Sequence, residues 1–139
     1  MVHIRDDGVF DAPIEKLWKY WNDNAAHNHT SFQVTKVLET KGNAQTVMAK
    51  IRNATGGFDT EKLLMTVNPP KGFSLEYLSG VMKGSKHTHT YTAQGNKTRV
   101  DVDGNFVSTG AKDEDVKKGV LAYFAQAFEE DNANLKKYK

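Results

Sequence analysis

Two imidazoles and a phenol lie close together in the segment His87-Thr88-His89-Thr90-Tyr91. Side chains two residues apart on a β-strand project from the same face, so His87, His89 and Tyr91 would lie side by side. Paired imidazoles can bind a metal ion, or they can hold a polar group of a ligand. No third metal ligand is evident, and the threonines are as suited to face inward as the histidines are. The pattern leaves both orientations open.

A carboxylate stands within an apolar helical stripe near the C-terminus. At about 100° per residue, Asp131 lies in the middle of the stripe formed by Val120, Phe124, Phe128 and Leu135. A carboxylate facing an apolar groove would be a candidate acid, base or anchor for a ligand. The alternative is that the helix has passed the edge of the sheet at this point, which would leave Asp131 in water.

Other polar motifs have simpler explanations. His27-Asn28-His29 follows the first predicted helix, where a loop near a cavity can supply ligands. A solvated polar loop explains the same residues. Trp18 and Trp21 are interpreted as core anchors of that helix. No Ser-His-Asp order is recognised, and Thr55-Gly56-Gly57 is too short for a phosphate loop and leads into a strand. We therefore predict no catalytic residue.

A curved sheet is predicted to position these residues. The segment 2–10 reads as a strand, and Gly8 within it indicates a bulge or a close approach of the backbone. Period-two alternation predicts six more strands, at approximately 31–40, 44–54, 58–68, 73–82, 85–94 and 98–107. The breaks contain Gly, Pro or Asn, which form tight turns, so the strands are expected to pair as antiparallel hairpins. One face is apolar and the other polar.

Helices are predicted at two places. Asp11-Ala12-Pro13 predicts the start of one or two short helices, with Asp11 as the N-cap. Residues 113–137 predict a long helix of about 36 Å, with acidic residues at its start and lysines at its end. Gly119, at the edge of its stripe, predicts close packing against a strand. The apolar stripe consists of Val116, Val120, Tyr123, Phe124, Ala127, Phe128 and Leu135.

Composition narrows the class of protein. The length of 139 residues suits a single domain covering 1–139. The absence of cysteine excludes disulfides, thiolate metal sites and cysteine nucleophiles. No apolar run approaches the roughly 20 residues that span a bilayer, and the N-terminus lacks the apolar part of a signal peptide, so a cytoplasmic location is expected. A net charge of +2 with mixed signs argues against a nucleic-acid partner.

The chain resembles the START/Bet v 1-like (SRPBCC) superfamily. The resemblance rests on Phe10-Asp11-Ala12-Pro13-Ile14-Glu15-Lys16-Leu17-Trp18, on Gly95-Asn96-Lys97-Thr98-Arg99-Val100 and on the C-terminal helix. It implies an α+β helix-grip fold, in which a curved antiparallel sheet of about seven strands wraps around the long C-terminal helix. It also implies a pocket between them. Lys41-Gly42-Asn43 is shorter than the glycine-rich loop of the plant allergens, and no catalytic signature of the polyketide cyclases is recognised.

These observations lead to one expectation and two alternatives. We expect binding of a small apolar or aromatic ligand in the pocket, without cofactor or metal. The first alternative is a cyclase or hydro-lyase that uses His87, His89, Tyr91 and Asp131. The second is a protein-interaction module resembling the Hsp90 activators, which would need an exposed apolar patch on the outer face of the sheet. The candidate ligand-binding residues are Met65, Tyr77, His87, His89, Tyr91, Val120, Phe124, Phe128 and Asp131.

Overall fold

The computed structural model describes residues 1–23, 29, 32–52 and 57–138. One short helix follows the first strand, and a long helix ends the chain. The elements are β1 (Val2–Phe10), α1 (Ile14–Trp21), β2 (Phe32–Lys41), β3 (Ala44–Arg52), β4 (Phe58–Asn68), β5 (Gly72–Tyr77), β6 (Lys86–Gln94), β7 (Lys97–Phe106) and α2 (Asp113–Lys137).

The seven strands form one antiparallel sheet in the order β1-β7-β6-β5-β4-β3-β2. Strands β2 to β7 follow one another as a meander, and β1 completes the sheet beside β7. The predicted α+β helix-grip fold is confirmed, because α2 lies across the inward face of this sheet. The predicted bounds of α2 agree with the structure to the residue.

The backbone of α2 comes nearest to the sheet at β1. The ring of Phe128 lies over Gly8, and a Cβ added to that glycine would stand 2.8 Å from Cε2 of the ring. Gly8 pairs with Val100 in an unbroken register, so it marks a close approach and not a bulge. Phe128 also contacts Phe10, with 4.8 Å between the ring centroids. Glycine therefore gives the long helix room to approach the edge of the sheet.

Three local predictions are wrong. Helix α1 begins at Ile14 with Pro13 as its N-cap and no side-chain cap, so Asp11 does not cap it. Strand β5 ends at Tyr77, since the chain then turns through Gly80 and Gly84, both with positive φ. Gly119 is exposed, and a Cβ there would meet no other atom within 4 Å. Its place beside the stripe does not bring it against a strand.

The core has two parts, and α2 covers only one of them. The larger cluster joins α1, α2, β1, β6 and β7, whereas the smaller is centred on Val47, Ala49, Leu63 and Leu75 of β3 to β5. Among the described residues, none of α2 belongs to the smaller cluster. On β2, Val34 and Val37 pair with Ala49 and Val47 on the inward side, yet they remain 45% and 49% exposed. The inward face therefore opens towards β2.

Candidate functional site

Strand β6 directs its histidines inward. His87 pairs with Leu75 and Gly104, and His89 pairs with Phe73 and Val102. Since directly paired residues share a face of the sheet, these partners place both imidazoles on the apolar side. Tyr91 follows at the same parity. The threonines between them are exposed on the outer face.

The two imidazoles are packed among aromatic rings. His87 is only 7% exposed, and its ring centroid is 5.4 Å from that of Phe106 and 5.6 Å from that of Phe124. His89 stacks on Phe73 at 4.4 Å and lies 5.0 Å from His87. In the part of the chain that the structure describes, the buried Nδ1 of His87 has no hydrogen-bond partner. A buried polar atom without a partner in a native fold calls for a further group, from solvent or from a ligand.

Burial keeps both imidazoles neutral. Desolvation lowers the pKa of His87 from 6.5 to about 4. It also lowers the pKa of His89 well below its usual value, and the neighbouring His87 adds to this effect. A neutral imidazole offers one N–H donor and one acceptor nitrogen. The pair therefore presents hydrogen-bonding groups without charge.

Three tyrosines lie on the inward side of the fold, as the histidines do. Tyr77 and Tyr91 come from β5 and β6, and Tyr123 comes from α2. Burial is the main cause that raises the pKa of each, and it raises that of Tyr77 to about 12. No hydrogen bond joins any of the three hydroxyls to another described residue. We refer to the inward-facing side chains of Tyr77, His87, His89, Tyr91, Tyr123 and Phe124 together as the inner cleft.

Several side chains of the inner cleft keep solvent-accessible surface. Burial is the first cause of the pKa changes of Tyr77, His89 and Tyr123. They are nevertheless only half-buried. Inward-facing side chains that keep accessible surface are able to contact a small ligand.

A buried polar network lies where α2 passes α1. Asp131 is 4% exposed and accepts a 2.8 Å hydrogen bond from the hydroxyl of Tyr20. Nε2 of His29 lies 3.3 Å from the same carboxylate oxygen, and Nδ1 of His29 lies 2.9 Å from Oε1 of Glu130. Asn134 donates to the hydroxyl of Tyr20 at 3.1 Å. The helix has therefore not left the protein interior at Asp131.

The network ties the segment after α1 to α2. Burial opposes protonation of His29, but hydrogen bonds and negative charge from Asp131 and Glu130 outweigh it and raise its pKa. His29 is 9% exposed, so the interpretation of a solvated loop is wrong at this residue. His27 lies outside the described residues. Burial also raises the pKa of Tyr20, with a further contribution from Asp131.

The remaining candidates occupy different parts of the inward face. Met65 packs with Tyr77 against the smaller core cluster. Val120 packs against the larger cluster, and Phe128 lies over β1. Sequence reasoning missed Tyr20, although its buried neighbours on α1 indicated the face. It assigned Tyr123 to the stripe without including it among the candidates for ligand binding.

The outer face has a different character. On β6 and β7 it presents exposed threonines and an ion-pair group in which Arg99 bridges Asp7 and Asp101. A contiguous apolar patch, as the interaction-module alternative requires, is not found on these two strands. Among the described residues, no group of three potential metal ligands is assembled. No described helix is long and apolar enough to cross a membrane.

Comparisons with known proteins agree with this architecture. The model of the family described as "Polyketide cyclase / dehydrase and lipid transport" matches residues 1–138. No curated protein sequence shows significant similarity to the chain. The predicted START/Bet v 1-like superfamily is confirmed by the family match and by solved structures.

Three of these solved structures illustrate the degree of similarity. The Zhui aromatase/cyclase from Streptomyces sp. R1128 is 14% identical with a TM-score of 0.73, over 96% of this chain and 90% of that one. Ara h 8.0201 is 11% identical with a TM-score of 0.72, over 98% of both chains. The di-domain ARO/CYC BexL, from the BE-7585A biosynthetic pathway, is 12% identical with a TM-score of 0.73, over 96% of this chain and 50% of that one. At such identities the likeness shows the fold alone.

Proposed function

Because the chain belongs to the "Polyketide cyclase / dehydrase and lipid transport" family, we propose that it binds a small apolar or aromatic ligand in the inner cleft. The observation that carries this proposal is the buried Nδ1 of His87, which has no partner among the described residues. The hydroxyls of Tyr77, Tyr91 and Tyr123 on the inward side also lack one there. Aromatic rings around these groups supply apolar contact, and the polar atoms supply orientation, which is the usual composition of a ligand pocket.

The directions of the pKa changes favour binding over proton transfer. Efficient acid–base catalysis needs groups whose pKa values lie near the working pH. Burial lowers the pKa of His87 and His89 and raises that of Tyr91, so all three move away from neutrality. Such groups remain in one protonation state at pH 7. They are suited to hydrogen bonding with a ligand.

A matched pair of substitutions on β4 tests the binding proposal. Met65 faces the smaller core cluster, whereas its neighbour Leu64 pairs with Thr46 and Glu76 on the outer side. Met65→Glu should weaken binding of the neutral fluorescent probe N-phenyl-1-naphthylamine about tenfold or more. The reason is that a carboxylate then replaces an apolar side chain on the cluster against which Tyr77 of the inner cleft also packs. Leu64→Glu should change the dissociation constant less than about twofold. Fluorescence titration gives both values.

Circular dichroism must show that both variants are folded. A folded Met65→Glu protein that binds the probe as tightly as the original chain would overturn the proposal. Equal weakening by the two substitutions would do the same, since it would place the probe elsewhere. Native mass spectrometry of freshly purified protein would complement the titration by revealing a ligand that is carried through purification.

A cyclase or hydro-lyase is the second candidate, and the clustering of His87, His89 and Tyr91 on one inward strand favours it. In such a reaction a neutral imidazole would take a proton from carbon next to a carbonyl group. We therefore expect the protein, if it is such an enzyme, to speed deuterium exchange at the methyl group of acetophenone about tenfold or more. Proton NMR in D₂O measures the rate. His89→Gln should return it to the solvent value, and no acceleration by the original chain would exclude this candidate.

A further inference from the structure

The lysine and arginine side chains that the structure describes are not buried with the inner cleft. None of the described lysines and arginines is buried, and only Lys16 and Arg99 are half-buried. Arg99 is held on the outer face, 2.9 Å from Asp7 and 3.0 Å from Asp101, and Lys16 is on α1. The stretches 24–28, 30–31 and 53–56 contain neither lysine nor arginine. Among the residues that the structure describes, no lysine or arginine is therefore buried where it could neutralise an anion in the cleft.

Carboxylates, in contrast, are present on the inward side. Asp131 and Glu130 lie 3.3 Å and 2.9 Å from the two ring nitrogens of His29. On β4, Glu61 pairs with Ala49 and so has inward parity, and it accepts a 3.0 Å hydrogen bond from Ser79.

This negative charge contributes to the raised pKa values of the tyrosines of the cleft. Glu61 adds to the raised pKa of Tyr77, and Asp131 adds to that of Tyr91 and Tyr123. These carboxylates lie on different elements, β4 and α2. Their fields therefore reach the cleft from two sides.

The hydrogen-bonding groups of the cleft are themselves uncharged. Two neutral imidazoles and three phenols can donate to carbonyl, ether or hydroxyl oxygens and can accept from hydroxyl groups. An anion would also accept from the phenols. Removing it from water, however, is costly unless a charged partner compensates it, and neighbouring carboxylates oppose it further.

From this distribution of charge we propose that the inner cleft binds uncharged ligands that have an apolar body and bear oxygen. It excludes anions built on the same skeleton. The inference rests on the ligand-binding function proposed above. It assigns the ligand to a charge class: ketones, phenols, alcohols or esters bind, and carboxylates, sulfonates or phosphates of the same skeleton do not.

Two probes with the same ring system test this selection. N-phenyl-1-naphthylamine is neutral, and 8-anilino-1-naphthalenesulfonate adds one sulfonate. We expect the neutral probe to bind at least about tenfold more tightly than the anion at pH 7 and low ionic strength. If neither probe binds, the binding function itself fails. If both bind equally, or the sulfonate binds more tightly, the pocket stands and the charge selection is overturned.

A charge-neutralising substitution separates electrostatics from the size of the sulfonate. Glu61→Gln keeps the shape and the hydrogen bond to Ser79 but removes one inward charge, so it should narrow the ratio of the two dissociation constants about threefold. Glu76→Gln is the matched control, because Glu76 pairs with Leu64 and Lys86 on the outer side and should leave the ratio unchanged. An unaltered ratio in folded Glu61→Gln would show that size alone excludes the anion, which contradicts the inference.

Discussion

Acidification from pH 7 to pH 5 is expected to lower the free energy of unfolding by roughly 2 kcal/mol through His87 alone, and by roughly 3 kcal/mol at pH 4. The pKa of this histidine falls from 6.5 to about 4 in the folded protein, and each tenfold difference in proton affinity corresponds to about 1.4 kcal/mol. The cause is burial among Phe106 and Phe124, where a charged imidazolium would lose its hydration without gaining a counterion.

The direction of the effect follows from which state binds more protons. Between pH 6.5 and 4 the unfolded chain protonates this histidine and the folded chain does not, so stability falls as the pH falls. The contribution is complete above pH 6.5. His89, whose pKa is also lowered, acts in the same direction. His29 has a raised pKa, so its contribution is present below pH 6.5 and is lost only as the pH rises through its folded value.

Urea denaturation at pH 7 and pH 5 measures the change. Carboxylates also titrate towards pH 4, so the comparison with His87→Leu isolates the histidine. This variant should lose about 2 kcal/mol less stability between the two pH values than the original chain. An identical loss in both proteins would show that His87 does not remain neutral in the fold.

Much of the architecture follows from patterns that are local in sequence. The long helix was predicted over 113–137 because an apolar stripe, an acidic start and a basic end coincide. Local sequence patterns gave wrong predictions where tertiary geometry determines the local structure. Asp11 is a good capping residue by type, yet α1 begins at Ile14. The prediction that Gly119 packs against a strand depended on how far the apolar stripe extends around the helix. In the structure this glycine is exposed.

The orientation of the side chains on β6 could have been predicted from the sequence. Neither histidine nor threonine identifies a buried face by type, so the parity of this strand was left open. The turn after Gln94 is tight, and a two-residue turn fixes the register of a hairpin. Val100 and Val102 alternate with Arg99 and Asp101, which indicates that the valines occupy the apolar face. The observed register pairs them with Tyr91 and His89. Reading the two strands together would have placed the histidines inward.

The polar network around Asp131 lay beyond such reasoning. It joins Tyr20, His29 and Asp131, which are up to 111 residues apart in sequence. Only the closure of the whole sheet around α2 brings them together. A carboxylate within an apolar stripe indicated that something polar was needed there, but its partners come from α1 and the segment that follows it.

Gly104→Ala is expected to destabilise the protein by about 3 kcal/mol or more. Gly104 stands in the middle of β7, where it pairs with Ile4 on one side and His87 on the other. A Cβ at this position would lie 2.5 Å from Cβ of His87 and 2.6 Å from the carbonyl oxygen of Lys86. Backbone atoms of β6 cannot move aside as the end of a flexible side chain can, so the two strands must separate.

Gly119→Ala provides the matched control, since the same methyl group enters open space on α2. It should leave stability unchanged or raise it by up to about 1 kcal/mol, because alanine favours the helix. Chemical denaturation of both variants gives the contrast. Should Gly104→Ala fold with nearly the original stability, the close pairing of β6 and β7 at His87 would be disproved. The packed position of the His87 imidazole would then be disproved as well. Both its low pKa and its place in the inner cleft depend on that packing.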